Sequence, residues 1–248
     1  MEAIKTMGLS KAYKDTLAVD DLSLSVKQGE LFALLGINGA GKTTTIKMLS
    51  CLTAPTAGDA LVGGKSIGKD PFGVKEQIGV SPQETAVAPN LTVQENLELI
   101  CGVYGVEKEE RNRRISELSN EFGLSNILMK KAGKLSGGWQ RRVSIAMALI
   151  GEPKILFLDE PTLGLDVIAR RELWAIIRTL KGKITIILTT HYMEEAEALS
   201  DRIGVMKGGK LLFEGTAKEM MRQTDTDSVE KAFIDIVSEK GKEEKKCE

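Results

Sequence analysis

The spacing of apolar and polar residues changes along the chain from strand patterns to helix patterns. Residues 19–26 read VDDLSLSV, in which Leu22, Leu24 and Val26 are separated by polar residues, the period of a half-buried strand. Residues 31–35 read LFALL, a continuous apolar run typical of a strand that is buried on both faces. The first segment predicts an antiparallel strand at a sheet edge, and the second predicts a core strand that leads into a loop.

A helical section is predicted for about residues 88–150. Thr92 and Glu95 have the spacing of a capping box, which satisfies free N–H groups where a helix begins, and this helix should run to about residue 104. Residues 108–122 continue the helical pattern and place three apolar side chains on one face: Ile115, Leu118 and Phe122.

The second half of the chain alternates strand and helix patterns. The predicted elements are a strand at 154–158, a helix at about 167–181, a strand at 184–190 and a helix at about 192–199. Gly208 and Gly209 between two strand-like runs predict a hairpin turn. This alternation predicts an α/β fold, and the charged, apolar-poor residues 238–248 are expected to form a frayed tail.

The composition excludes several classes of protein. Lys and Arg number 34 against 35 Asp and Glu, so no global field favours a nucleic-acid partner. The longest apolar runs are far shorter than the roughly 18 residues that a membrane-spanning helix needs, and the first residues do not read as a secretory signal. We therefore expect a cytosolic protein whose scattered cysteines, Cys51, Cys101 and Cys247, are reduced.

The strongest chemical motif is GINGAGKTT at residues 36–44, which matches G-x-x-x-x-G-K-[ST] between a buried strand and a helix. The glycines Gly36, Gly39 and Gly41 allow backbone N–H groups to surround phosphates. Lys42 can reach the β- and γ-phosphates, and the Thr43 hydroxyl can bind Mg²⁺. The alternative is a glycine-rich turn that binds nothing.

Two carboxylates follow the apolar strand in ILFLDE, residues 155–160. Asp159 is placed to hold Mg²⁺ and Glu160 to act as the general base toward the attacking water, although such a pair can also form an ordinary surface corner. His191 is the single histidine and follows another apolar strand. A lone histidine is usually structural, but the end of a core strand is where ligands bind in open α/β sheets, so we expect it to contact the γ-phosphate.

A second candidate anion site is LSGG, residues 135–138. Gly137 and Gly138 precede apolar residues at helical spacing, and paired glycines there allow N–H groups to approach an anion at the helix start. The chain therefore carries two candidate phosphate sites, far apart in sequence.

The phosphate loop, LSGG at 135–138, LFLDE at 156–160, PTLGLD at 161–166 and TTH at 189–191 resemble, in this order and spacing, the ATPase subunits of ABC transporters. The resemblance covers about residues 2–222 and is greatest to the branch that exports drugs, antibiotics or sodium through separate membrane subunits. It implies an α/β P-loop NTPase core with an antiparallel β subdomain and an α-helical signature subdomain. The implied ATPase domain is 1–222, with the helical part at about 88–150, and 223–248 form a C-terminal helix and charged tail.

The resemblance also implies roles for individual residues. Tyr13 resembles the aromatic residue that stacks on adenine, with a surface strand tyrosine as the alternative. Gln83 resembles the glutamine that touches Mg²⁺ or water and links the site to the helical section, with an ordinary loop glutamine as the alternative. Asp166 resembles the aspartate that crosses the dimer seam, and Trp139 departs from the glutamine of the widespread pattern. The implied nucleotide-binding set includes the whole loop: Gly36, Asn38, Gly39, Ala40, Gly41, Lys42, Thr43 and Thr44. The implied Mg²⁺ ligands are Thr43, Gln83 and Asp159.

The resemblance implies that two ATPase units stack head to tail on ATP. Each ATP then lies between one chain's phosphate loop and the other chain's signature, which here is Leu135, Ser136, Gly137 and Gly138. The implied function is ATP hydrolysis, with Glu160, His191 and Gln83 as catalytic residues, that powers export through integral membrane permeases. The implied assembly is a homodimer, or a heterodimer with a related ATPase, at the cytoplasmic face of the membrane. The alternative is an ABC-type ATPase of a non-transport system, ribosome-associated or regulatory.

Overall fold

The computed structural model describes residues 1–244, with side chains described as far as Ser238. The strands are, in chain order, β1 (Glu2–Tyr13), β2 (Thr16–Leu22), β3 (Ser25–Lys27), β4 (Leu31–Gly36), β5 (Ala57–Val62), β6 (Lys65–Ser66), β7 (Ile78–Ser81), β8 (Ile155–Asp159), β9 (Thr185–Thr190), β10 (Arg202–Lys207) and β11 (Lys210–Gly215). The α-helices are α1 (Lys42–Leu49), α2 (Pro71–Lys75), α3 (Val93–Val103), α4 (Lys108–Glu121), α5 (Gly137–Leu149), α6 (Val167–Leu180), α7 (Met193–Leu199), α8 (Ala217–Gln223) and α9 (Val229–Glu244).

The strands within residues 1–244 form two sheets. A six-stranded sheet has the order β11-β10-β4-β9-β8-β7 and is parallel except for β11, which pairs antiparallel with β10. The second sheet is antiparallel, with the order β2-β1-β5-β6 and β3 also paired to β1. Because β4, β8 and β9 are parallel neighbours, their carboxyl ends meet at one edge of the sheet, where α/β proteins bind ligands.

The six-stranded sheet is covered on both faces. On β8, Ile155 and Phe157 belong to the apolar cluster shared with the antiparallel sheet and α1. The alternate residues Leu156 and Leu158 belong to the cluster shared with the helical section. A strand that is buried on both faces has no polar face, which explains the continuous apolar runs in the sequence. The core strands predicted at 31–35, 154–158 and 184–190 are confirmed.

The helical section contains α3, α4 and α5. The capping box at the start of α3 is confirmed, since Glu95 N–H donates to the Thr92 hydroxyl at 3.1 Å and Thr92 N–H donates to a Glu95 carboxylate oxygen at 2.7 Å. Of the apolar face predicted for α4, Ile115 and Phe122 are buried and Leu118 is partly buried. The hairpin turn at Gly208 and Gly209 is also confirmed, between β10 and β11.

The amino-terminal region differs from its sequence pattern. The single strand expected at 19–26 is divided into β2 and β3 at residues 23–24, where Leu24 N–H donates to the Thr6 hydroxyl at 2.8 Å. Asp21, whose φ is +51°, lies within β2, where the register against β1 shifts. β1 pairs with β2, β3 and β5, and the sequence pattern did not predict it. β2 follows β1 directly, but β3 and β5 lie farther along the chain, so a local pattern does not reveal those two pairings.

The carboxyl-terminal region packs on the outer part of the six-stranded sheet. Val229, Phe233 and Ile236 of α9 join a cluster with Val205 and Phe213. The helix continues through Glu244, so the expectation of a frayed tail is wrong for residues 238–244. Residues 245–248, which include Cys247, lie outside the described residues. None of the helices in residues 1–244 combines the length and apolar character needed to cross a bilayer.

Candidate functional site

The phosphate loop connects β4 to α1, and two of its glycines are required by space. A Cβ on Gly36 would lie 2.5 Å from the carbonyl oxygen of Met206, and a Cβ on Gly41 would lie 2.5 Å from the carbonyl oxygen of Ala18. Gly41 also has a φ of +102°, which L side chains rarely adopt. As the N-cap of α1 it has no side chain to satisfy the first-turn N–H groups, so these groups are available to an anion.

A cleft of about 670 Å³ opens over this loop. It brings the loop together with side chains from three later segments of the chain. The lining residues are Thr16, Leu17, Ala18, Asn38, Gly39, Ala40, Gly41, Lys42, Thr43, Thr44, Gln83, Glu160, Leu163, His191 and Gly208. Three residues predicted separately from sequence, Gln83, Glu160 and His191, therefore share one cleft with the phosphate loop.

Lys42 is buried beneath the loop, with 4% of its side chain exposed. Its ammonium group donates to the Gly36 carbonyl at 2.7 Å and lies 3.5 Å from Glu160 Oε1, itself in a buried side chain. Burial lowers the pKa of Lys42, while the charge and hydrogen bond of Glu160 and the charge of Asp159 act in the opposite direction. In this arrangement the loop lysine is paired with the candidate base.

Asp159 ends β8 and accepts two hydroxyl hydrogen bonds on Oδ1, from Thr43 at 3.1 Å and from Thr189 at 2.5 Å. Asp159 is buried and does not itself line the cleft, but it bonds the hydroxyl of Thr43, which lines the cleft together with Gln83. These three side chains supply hard oxygen donors of the kind that Mg²⁺ prefers. Among the described side chains no three His, Cys, Asp or Glu residues cluster as a metal site. These residues fit an ion that takes its remaining ligands from phosphates and water.

Glu160 has a strained backbone, with a φ of +46°. The strand β9 holds it there, because Glu160 N–H donates to both the carbonyl and the hydroxyl of Thr189, at 3.1 and 3.0 Å. Its second carboxylate oxygen lies 3.2 Å from His191 Nδ1, although that nitrogen has no aligned hydrogen-bond partner among the described residues. The carboxylate is thus placed between Lys42 and His191 at the floor of the cleft.

Gln83 is held from below by Arg141, a residue that the sequence analysis missed. Arg141 is 4% exposed and donates to the main-chain carbonyls of Pro82, at 2.5 Å, and of Gln83. Burial lowers the pKa of its guanidinium. The sequence did contain a signal for Arg141, which lies four residues before Ile145 and so on the same, buried face of α5. A basic residue on an apolar helix face requires a polar partner.

The signature lies elsewhere on the molecule. Ser136 is the N-cap of α5, and its side chain makes no capping hydrogen bond. Ser136 and Gly138 line a second, small cleft with Trp139, Arg142, Ala169 and Glu172, and in the described structure none of these residues lines the cleft over the phosphate loop. The signature therefore lies outside the cleft over its own chain's phosphate loop.

The remaining predicted residues lie near these two clefts. Tyr13 ends β1 opposite Thr16, which lines the larger cleft, but Tyr13 itself is not a lining residue. Asp166 caps α6, accepting from the N–H groups of Ile168 and Ala169 at 2.9 Å each. The role of Tyr13 in adenine binding and the role of Asp166 at a dimer seam remain predictions.

Trp139 packs rather than points into solvent. It is partly buried against the core of the helical section, and the Arg142 guanidinium lies 4.6 Å from the centre of its ring. Arg142 also pairs with Glu172 on α6. The departure from the widespread glutamine is thus accommodated by a packed ring and a cation above it.

The family model described as ABC transporter matches residues 19–163. The chain belongs to the ABC transporter family. Among curated relatives, the probable multidrug ABC transporter ATP-binding protein YbhF of Escherichia coli is 40% identical over 246 residues, which is 97% of this chain and 42% of that protein. The doxorubicin resistance ATP-binding protein DrrA of Mycobacterium tuberculosis is 41% identical, over 88% of this chain and 67% of that protein. This chain therefore spans about two fifths of the length of YbhF.

Solved structures agree with the sequence relatives. An ATP-binding subunit of an ABC transporter matches with a TM-score of 0.84 and 30% identity, covering 94% of this chain and 99% of that one. The ATP-binding cassette MJ0796, dimeric and bound to ADP and Pi, matches with a TM-score of 0.78 and 28% identity, covering 86% of this chain and 98% of that one. The predictions of the family, of the ABC ATPase fold and of an ATP-binding ATPase class are confirmed.

Proposed function

We propose that this chain is the ATP-hydrolysing subunit of an exporter, and that it works by closing head to tail with a second ATPase unit on ATP. The observation that carries the proposal is the separation of the two phosphate sites. The cleft over the phosphate loop contains the candidate base, whereas Ser136 and Gly138 of the signature line a different cleft. A second chain is then needed to bring a signature to the nucleotide.

Binding of ATP would change the partner of Lys42. Its ammonium group lies 3.5 Å from Glu160 in the described arrangement, and the β- and γ-phosphates would offer it a stronger set of anionic oxygens. When Lys42 moves to the phosphates, Glu160 loses its cation and becomes free to accept a proton. The nucleotide thus releases the base that is needed for its own hydrolysis.

Glu160 would accept the proton of the attacking water, because it lies at the floor of the cleft between the loop and β9. His191, 3.2 Å from the other carboxylate oxygen, would orient the water and contact the γ-phosphate. Thr43, Asp159 and Gln83 would hold Mg²⁺, which neutralises phosphate charge when bound. The N–H groups at the start of the second chain's α5 would stabilise the charge on the transferred phosphoryl group.

The proposal is tested by a matched pair of substitutions at Ser136, which is exposed and begins α5. Asp and Asn are both good N-caps of similar size, so Ser136→Asp and Ser136→Asn should fold equally well. Only Asp places a negative charge against the γ-phosphate of the second chain, and we expect hydrolysis at least about tenfold slower than in the Asn variant. Equal turnover by the two variants would contradict a signature that completes a neighbour's site, since the charge would then meet no phosphate.

The membrane partner would dock on α3 and the loop before it, residues 84–105. Gln83 lies in the cleft immediately before this segment, and α3 leaves Leu99 and Val103 exposed, at 51% and 74%. Neighbouring apolar side chains, one turn apart on a firmly capped helix, fit an apolar cytoplasmic helix of a permease. The loop that senses ATP is thereby continuous with the surface that would transmit movement.

Charge reversal at Glu95 is a poor test of this surface, because Glu95 closes the capping box of α3. Leu99→Glu and Val103→Glu leave the cap intact and should reduce transport in the assembled exporter while the isolated subunit keeps its ATPase activity. Asn112→Glu, at an exposed position of the neighbouring helix α4, adds the same single negative charge and is the control. Full transport by both apolar variants would place the docking surface elsewhere.

Export as the direction of transport is supported by the relatives. YbhF is described as a probable multidrug transporter protein, and DrrA as a doxorubicin resistance protein. The subunit would then lie at the cytoplasmic face of the membrane, held there by its permease partners and paired with a copy of itself or a related ATPase.

A further inference from the structure

Glu195 on α7 is a fully buried carboxyl group that the proposed reaction does not use. The other buried acids either belong to the site, as Asp159 and Glu160 do, or pair with a cation, as Glu30 pairs with Arg202 at 3.2 Å. Burying a carboxyl group without a full set of partners is costly, so an apolar residue would serve a purely packing role better.

The hydrogen bonds of Glu195 are incomplete. Its Oε1 accepts from the indole N–H of Trp174 at 2.9 Å. Its Oε2 is buried without an aligned partner among the described residues, and the same holds for the Thr162 hydroxyl and for Arg170 Nε. Burial raises the pKa of Glu195, and the neighbouring Thr190, Trp174, Thr162 and Arg170 act in the opposite direction.

The neighbours of Glu195 belong to three segments that carry the site. Thr162 is two residues after the candidate base, and Thr190 immediately precedes His191. Trp174 and Arg170 lie on α6, the helix that Asp166 caps. The Thr190 hydroxyl also accepts from the N–H of Tyr192 at 3.0 Å, so it joins the two residues on either side of His191. The hydrogen bond of this carboxyl group with Trp174 therefore joins α7, which begins two residues after His191, to α6, the helix that Asp166 caps.

We infer that Glu195 is a positioning residue of the ATPase: its bond to Trp174 holds α7 against α6, and this contact fixes His191, which lies two residues before α7, relative to Glu160. It is not a lining residue of the cleft over the phosphate loop, so its effect passes through α6 and α7. The inference rests on the proposed function, because it gives Glu160 and His191 their catalytic roles. The phosphate loop lies in other segments, so loss of Glu195 should change turnover and leave ATP affinity nearly unchanged.

The test compares kcat and KM for magnesium-dependent ATP hydrolysis by the full chain. Glu195→Ala should lower kcat by about tenfold to 100-fold, because misplacement by about 1 Å of a catalytic group costs up to about 10²-fold, with KM within about threefold. Glu195→Gln should recover most of this loss, since its amide oxygen still accepts from Trp174. Glu197→Ala, an exposed position on the same helix, is the control and should match wild type.

Trp174→Phe removes only the indole donor and keeps an aromatic ring, so it tests the contact even if Glu195→Ala fails to fold. It should lower kcat in the same direction, and the double variant should be no slower than Glu195→Ala, because both changes break one interaction. Additive losses, or a kcat within twofold of wild type in either single variant, would overturn the inference.

The proposed function fails separately from this inference. A wild-type chain without ATP hydrolysis would refute the proposed function and the inference with it. A wild-type chain that hydrolyses ATP, beside a folded Glu195→Ala variant of unchanged kcat, would refute the inference alone.

Discussion

The substitution Glu160→Gln separates the proposed catalytic role of one carboxylate from its structural role. The amide keeps the shape of the side chain but cannot accept the water proton, and general-base catalysis contributes about 10²- to 10⁴-fold. We expect turnover to fall at least about 100-fold, which corresponds to about 2.7 kcal/mol in activation free energy. ATP should still bind, because the loop N–H groups and Lys42 are unchanged.

The same substitution should weaken the protein without nucleotide. Lys42 and Glu160 form a buried ion pair with side chains 4% and 8% exposed, and removal of one partner from such a pair costs about 3–5 kcal/mol. In a chain of this size about 1 kcal/mol shifts the Tm by about 2–4 °C, so the nucleotide-free variant should unfold several degrees below wild type. Mg-ATP should raise its Tm more than that of wild type, because the phosphates replace the missing countercharge.

The assays are phosphate release at saturating Mg-ATP, nucleotide binding by calorimetry, and thermal unfolding with and without Mg-ATP. Glu197→Gln makes the same chemical change at an exposed position and should leave all three measurements unchanged. Hydrolysis by Glu160→Gln within tenfold of wild type would refute the assignment of the base. A nucleotide-free Tm equal to that of wild type would show that the pair with Lys42 does not support the fold.

Three further outcomes are expected. His191→Ala should lower kcat with a smaller effect on KM, measured by phosphate release, because His191 lies 3.2 Å from the base and outside the phosphate loop; unchanged kcat would remove it from the mechanism. Gly36→Ala should lower the Tm relative to wild type, because its Cβ would lie 2.5 Å from the Met206 carbonyl, whereas Gly39→Ala, with nothing within 4 Å, should cost only its backbone strain. Burial lowers the pKa of Lys42 in the folded chain below its ordinary value of 10.5. At a pH between the folded and the unfolded pKa of Lys42, the unfolded chain binds more protons, so the free energy of unfolding rises with pH. Lys42→Met should lack that rise in urea unfolding, and an equal rise in both proteins would contradict the lowered pKa.

Motifs that act through consecutive residues were predictable from sequence. The phosphate loop depends on glycines and a lysine at fixed spacing between a strand and a helix, and the structure places both elements as expected. The capping box of α3 is also local, since Thr92 and Glu95 satisfy each other across one helical turn. The Asp159–Glu160 pair was readable because a continuous apolar strand ends in two carboxylates.

Contacts between distant segments were not predictable. The pairing of Lys42 with Glu160 and the bonds from Arg141 to the Gln83 loop join residues that only the sheet order brings together. The same holds for Glu195, whose position on a short helix does not indicate that a tryptophan of α6 covers it. Sequence pattern gives which face of an element is buried, but not what lies against that face.

The burial of single loop residues also required the structure. Ala40 in the phosphate loop is 2% exposed, and Leu135 of the signature packs partly buried against the helical core. Cysteines at these two positions would therefore be poor reporters of contact between chains. Asn38 and Ser136, in the same two segments, are exposed and are suited to cross-linking.

Cross-linking tests most directly the central claim, that the signature of one chain meets the phosphate loop of another. Asn38→Cys and Ser136→Cys are made in separate Glu160→Gln chains, with Cys51, Cys101 and Cys247 replaced, and a short bifunctional maleimide is added with Mg-ATP. The account predicts a covalent dimer from the mixture of the two chains, dependent on ATP, and none from either chain alone, because the contact joins unlike residues. An ATP-bound mixture that forms no cross-link would contradict it. A third chain that carries both cysteines should also cross-link to a second copy, and a cross-link formed within that single chain would contradict the account.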